Sequence, residues 1–138
     1  MDEGIVIGNN TRIERNTELL DNVKIGANGC IERNSFVGQD CVIGEGIGLS
    51  AESHIGNDNH VGDNVKIGAR FSSDVSCVVG DNVVIGTNCV LGKCCKIGNG
   101  SILEDGVRLK DYTEVAASTR IFAKDYSVDK GKEGEKSE

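Results

Sequence analysis

The chain has no proline and no tryptophan, and only three phenylalanines and two tyrosines among its 138 residues. A core built on large aromatic rings is therefore excluded. No apolar run is long enough to cross a bilayer as a helix. No secretory signal is recognised, and a soluble, cytoplasmic protein is expected. Basic residues number 15 against 22 acidic ones, for a formal net charge of −7. They form no stripe, so neither nucleic acid nor a membrane is an expected partner. The six cysteines include no Cys-x-x-Cys pair, which argues against a zinc ribbon.

What the chain does have is Ile, Val and Leu in quantity, punctuated by Asn, Asp and 19 Gly. That mixture suits many short strands and tight corners. Its period is six. From Ile7, steps of six reach Ile13, Leu19, Ile25, Ile31, Val37 and Ile43, and continue to Val115 and Ile121. Nineteen of these twenty positions are aliphatic, and only Ser73 breaks the run. The following position is Gly in eleven of the twenty hexads, as at Gly8, Gly26 and Gly44. Two positions before each aliphatic the residue is usually small or apolar, as at Thr11, Ser35, Cys41, Cys77 and Cys89. Asn or Gly often falls three positions after it, where a tight corner needs the left-handed backbone region.

Each hexad reads as one short strand and one corner. Alternate strand residues face the same way, so the aliphatic and the small residue two before it both point inward. Three hexads close a triangle, giving a coil of 18 residues. Twenty hexads make between six and seven coils, a prism of roughly 30 Å at the inter-strand spacing. Residues 18 apart should then stack. Gly8, Gly26, Gly44, Gly62, Gly80 and Gly98 form one such column, ending in Ala116. An inward column holds Ile5, Val23, Cys41, Asn59, Cys77, Cys95 and Thr113. Most cysteines are thus expected as buried free thiols, with Cys77 and Cys95 near neighbours whose disulfide would be strained. Asn59 must find hydrogen bonds inside the core. Phe71, where small residues are usual, is expected to fill the volume that Ser73 leaves.

The outward positions carry an unusual apolar set: Val6, Phe36, Val42, Val78, Val84, Val90 and Ile102. Such faces imply a partner surface. Both histidines fall in this outward class. His54 lies in the column Phe36, His54, Ser72, Val90, and His60 in the column Val42, His60, Val78. They share a height but sit on adjacent faces. The middle coils are the most polar part of the chain, with Glu52 stacked on Arg70 and Asn57 and Asn59 near the histidines.

The segment Ile7-Gly8-Asn9-Asn10-Thr11-Arg12 resembles the repeat of the bacterial hexapeptide transferase family, and the likeness runs from residue 5 to about 122. The resemblance implies a left-handed parallel β-helix, an all-β fold, and a parallel homotrimer. It implies acyl transfer from an acyl-CoA or an acyl-carrier protein to a hydroxyl or amine of a small molecule or sugar. No bound cofactor or metal is expected. A histidine then acts as general base between subunits, and His54 and His60 are the candidates, with Asn57, Asn59, Arg70 and Ser72 as substrate-binding neighbours. Departures from the family pattern are an unbroken period, with no extruded loop, and the absence of Pro. The repeats also resemble the C-terminal prism of sugar-nucleotide pyrophosphorylases, which leaves open a non-catalytic assembly, regulatory or dynactin-type scaffold role. No nucleotidyltransferase domain is expected ahead of repeats that begin near Met1. A γ-carbonic-anhydrase-like metal site needs three histidines, and two are present.

The β-helix domain is expected to span residues 1–123. Residues 124–138, rich in Lys, Glu, Asp, Ser and Gly, are expected to form a flexible charged tail. Tyr112, Phe122 and Tyr126 are candidates to cover the open end of the prism.

Overall fold

The computed structural model describes residues 4–123. Twenty strands of two residues each, from Val6–Ile7 to Arg120–Ile121, recur every six residues. Each of the first seventeen pairs in parallel with the strand three hexads on, so that Val6 aligns with Lys24 and Ile7 with Ile25. Three parallel sheets of seven, seven and six strands result. We call them the first face (including His60–Val61), the second (including Gly48–Leu49 and Lys66–Ile67) and the third (including Phe36–Val37, His54–Ile55 and Ser72–Ser73). This is the triangular prism that the hexads require, and it accords with a left-handed β-helix.

The aliphatic of each hexad faces inward and its predecessor outward, as two-residue alternation demands. Ile25, Ile31, Val37, Ile43, Leu49, Ile55, Ile67 and Ile85 are all buried. Corners use one backbone solution throughout. Every sixth residue from Gly4 to Ser118 has φ between 57° and 76°. Asn and Gly fill most of these sites, but Glu52, Arg70, Ser76, Cys94, Tyr112 and Ser118 take the same left-handed conformation. Each of these six costs about 1 kcal/mol that Gly or Asn would largely avoid.

The small inward residues do more than fill space. Thr11, Ser53 and Ser101 each donate a hydroxyl to a carbonyl 15 residues on, in the next coil. Thiols do the same: Cys41 to Gly56 O, Cys77 to Gly92 O, Cys89 to Glu104 O and Cys95 to Lys110 O, at 3.0–3.2 Å. All six cysteines are free. Asn59 donates its amide to Gly56 O and Asp74 O and accepts from Cys77 N, which satisfies the buried polar group. Phe71 and Ser73 are both buried, as the volume exchange requires, but among the described residues the Ser73 hydroxyl has no hydrogen-bond partner.

The ends differ from the expectation. Tyr112 is 72 % exposed at a corner and Phe122 is 42 % exposed, its ring under the Arg120 guanidinium. Tyr112 therefore covers nothing: a left-handed corner aims its side chain away from the prism axis. Tyr126 and the tail lie outside the described residues.

Two measurements check this wall. Asn59→Leu strands the buried Cys77 N–H and removes a donor from Asp74 O, while Gly56 O keeps the Cys41 thiol, and it is expected to lower the unfolding free energy by about 2–4 kcal/mol. Ser73→Ala, which removes an unsatisfied hydroxyl, is expected to raise it by about 1 kcal/mol. Urea titrations read both. Burial also pushes the Cys41 and Cys89 thiols up. Once pH passes the unfolded thiol value of about 8.5, the unfolded chain holds fewer protons than the folded one, so stability falls as pH rises. The fall is expected to be shallower in the Cys41→Ser/Cys89→Ser protein, and equal slopes would contradict it.

Candidate functional site

A prism without loops can act only through its outer faces and edges, so the outward columns define the candidates. On the third face, His54 lies in register between Phe36 and Ser72. The Phe36 and His54 rings are stacked, with centroids 4.6 Å apart and planes 5° from parallel. Coil spacing explains this, because successive outward side chains are held about 4.8 Å apart, close to aromatic stacking distance. On the first face, His60 lies in register between Val42 and Val78, each 40 % exposed. Both histidines are exposed, and among the described residues neither imidazole has a hydrogen-bond partner. They occupy adjacent sheets of one coil, so within one chain they point apart.

The other expected site residues separate into two groups. Asn57 sits half-buried at the corner between His54 and His60, and its side-chain carbonyl accepts from Gln39 N. Ser72 and Arg70 lie directly below His54 and Glu52, on the third face and its leading corner. Arg70 donates Nε to Asn88 Oδ1 and forms no ion pair among the described residues. These three share a surface with His54. Asn59 does not: it is 2 % exposed, and its amide is committed to the wall behind His60.

The structure adds features that sequence reasoning missed. Residues 70–76 concentrate the exceptions of the prism. Arg70 and Ser76 are left-handed corners without Gly or Asn, Phe71 is oversized, Ser73 is an orphaned polar group, and Asp74 stands where Gly is usual. Local rules broken together mark a candidate site. The signal was legible as the one gap in the aliphatic series, but volume exchange accounted for it. The second face carries an open depression of about 310 Å³ at Gly48, bounded by Cys30, Glu32, Ser50 and Lys66. It exists because Gly48 has no side chain, and an added Cβ would meet only Lys66 Cδ at 3.5 Å. Among the described residues, no three His, Cys, Asp or Glu side chains converge to hold a metal ion. No described helix is long and apolar enough to cross a membrane.

The contrast between two glycines is testable. Gly48→Ala is expected to change stability by less than about 1 kcal/mol. Gly62→Ala places its Cβ 2.7 Å from the Gly80 backbone and against the Asp81 carboxylate, and is expected to cost about 2–4 kcal/mol. Thermal or urea unfolding distinguishes them, and equal effects would refute the coil-contact argument.

Comparison with known proteins agrees with this architecture. No curated protein matches the chain in sequence. Among solved structures, the UDP-N-acetylglucosamine acyltransferase from Campylobacter jejuni superposes with a TM-score of 0.60 at 18 % identity, covering 81 % of this chain and 61 % of its own. PerB from Caulobacter crescentus, solved in complex with CoA and GDP-perosamine, superposes with a TM-score of 0.51 at 15 % identity, covering 86 % of this chain. This chain matches 51 % of PerB's length, so it spans between half and two thirds of these structures. At such identities the likeness is one of fold. The model of the family described as bacterial transferase hexapeptide (six repeats) matches residues 4–39 and 76–111, more than half of the chain. The chain belongs to the bacterial hexapeptide transferase family.

Proposed function

We propose that the protein is an acyltransferase of the hexapeptide family, working at the third face with acyl-CoA as co-substrate and a small-molecule or sugar acceptor. The observation that carries this reading is His54, an exposed imidazole held in a fixed plane by Phe36 beside the irregular hexad that starts at Arg70. A stacked ring keeps its edge nitrogens free, and a general base needs an unengaged nitrogen within reach of the acceptor proton. The imidazole takes the proton of the acceptor hydroxyl or amine as that atom attacks the thioester carbonyl. The resulting imidazolium returns the proton to the departing CoA thiolate, so the base is regenerated.

The apolar outward residues support a threefold assembly. Val42 and Val78 on the first face are exposed around His60, and Val90 lies on the third face two coils below His54. In a parallel trimer, the third face of one chain meets the first face of its neighbour. His54 of one subunit then approaches His60 of the next, and the cleft between them holds both substrates. Two of the structures similar in fold support the acyl-transfer reading: one is a UDP-N-acetylglucosamine acyltransferase, and PerB was solved with CoA and GDP-perosamine.

A second reading rests on a specific observation. Strands recur every six residues from Val6 to Ile121 with no loop leaving the coils, and such a prism also suits an assembly or regulatory module.

Release of CoA from acetyl-CoA, measured across a panel of amino and hydroxy sugars, separates the two. Turnover is expected, and His54→Ala or His60→Ala should lower kcat/KM by about 10²–10⁴-fold at unchanged thermal stability. No turnover, together with no thermal shift in acetyl-CoA, would favour the assembly module. Sedimentation should show a species of three 14.6 kDa chains. A monomer would remove the intersubunit cleft.

A further inference from the structure

Only one of the twenty strands contains a glycine, and that is Gly48–Leu49 on the second face. Glycine in a strand costs about 0.5–1 kcal/mol relative to alanine. It is kept at a bulge, at a bend, or where another group comes close. Gly48 sits at neither a bulge nor a bend, because it pairs in unbroken register with Cys30 on one side and Lys66 on the other. It is not among the residues with positive φ. No backbone crowds it, since an added Cβ would meet only Lys66 Cδ at 3.5 Å. Gly26, Gly44 and Gly62 differ, for the backbone of the following coil excludes a side chain from each. What remains for Gly48 is the approach of a group from outside the chain, and the depression of about 310 Å³ is the room for it.

The groups around that room define its chemistry. Cys30 is an outward, half-buried thiol in the strand Cys30–Ile31. Cys41, Cys77, Cys89 and Cys95 are instead buried and donate to carbonyls of the next coil. Lys66 is exposed across the depression and forms no ion pair among the described residues. Glu32, on the rim, accepts from Ala51 N with Oε1, which leaves Oε2 for a further partner. A nucleophilic sulfur, a cation and a carboxylate therefore border one opening.

We propose that the depression is a modification site, in which Cys30 forms a mixed disulfide with a small thiol that carries carboxylate and ammonium groups. The spacing suits such a group. Two coil spacings, about 9.6 Å, separate the Cys30 and Lys66 strands. Disulfide-linked Cα atoms lie about 5.5–6 Å apart. A cysteine joined to Cys30 and laid along the face thus has its Cα over Gly48 and its carboxylate within reach of Lys66. Its ammonium then faces Glu32. The step is thiol–disulfide exchange. The Cys30 thiolate attacks one sulfur of the incoming disulfide, a new S–S bond forms and the old one breaks. The other half leaves as a thiolate and takes up the proton that Cys30 gave up. Cys30 is oxidised, and the released thiol is the reduced product. Cystine and glutathione disulfide both offer this chemistry. The inference involves only the second face, so it and acyl transfer at the third face can each fail alone.

The reduced, intact protein is treated separately with cystine, glutathione disulfide, cystamine (no carboxylate) and hydroxyethyl disulfide (no charge). Intact mass and peptide mapping follow the adduct at each cysteine. One adduct per chain, at Cys30, is expected, formed about tenfold faster with cystine or glutathione disulfide than with cystamine. A net charge of −7 would by itself favour the cationic cystamine, so the opposite order reports the site. The faster of cystine and glutathione disulfide identifies the source. Lys66→Gln should remove most of that preference while alkylation of Cys30 by iodoacetamide continues at its former rate. Gly48→Val, which gives this row the side chain found at Val84, should slow the exchange about tenfold relative to alkylation, at nearly unchanged melting temperature. Modification of the half-buried Cys94 as fast as of Cys30, equal rates with all four disulfides, or full exchange in Gly48→Val overturns the proposal.

Discussion

Everything in this prism depends on closing each coil in 18 residues, so that every side chain lies over its equivalent one strand spacing away. The constraint acts on the wall at three levels. Positive φ is required at every sixth residue, whatever the side chain there. Next to each aliphatic, a Cβ at Gly26, Gly44 or Gly62 would come within 3 Å of the backbone of the following coil. The inward small residue becomes a donor to a carbonyl of the next coil, a role shared by Thr, Ser, Cys and Asn. Four of the six free cysteines find their reason here, as buried thiols used as hydrogen-bond donors of low polarity.

A structure this repetitive has little room for adjustment. In a globular core, a misfit side chain is absorbed by neighbours that repack. Here each hexad is bound above and below by copies of itself, so a local departure remains local. Residues 70–76 collect an oversized ring, an orphaned hydroxyl, two corners without Gly or Asn and an Asp in place of Gly. They lie directly beneath the Phe36–His54 stack. That coincidence distinguishes one stretch of the third face from the rest of the surface, and it requires no loop to do so.

The fold was legible because its physical rule has a period. Ile7, Ile13, Leu19 and their successors announce the inward column, and the glycines after them announce close coil contact. The outward placement of His54 and His60, and the inward turn of Asn59, follow from the same count. What the count cannot carry is relations between columns. The thiol of Cys89 reads as a small buried group, and its partner carbonyl at Glu104 emerges only once the coils are stacked. Phe36 and His54 read as apolar and polar neighbours, and their parallel rings depend on rotamers that no spacing specifies. Tyr112 read as a cap because it is large and near the end, yet the corner geometry that Asn22, Asp40 and Asp58 share turns it outward. The depression at Gly48 arises from one missing side chain between Cys30 and Lys66, a gap visible only when the second face is assembled.

On the proposed reading, the third face around His54 is where the protein meets acyl-CoA and its acceptor. A crystal structure of the protein grown with CoA tests it most directly. The account predicts CoA in a cleft bordered by His54, with Ser72 and Arg70 in contact with ligand and His60 supplied by a neighbouring chain. CoA bound along the second face at Gly48, or chains assembled with the third face turned to solvent and empty, would contradict it.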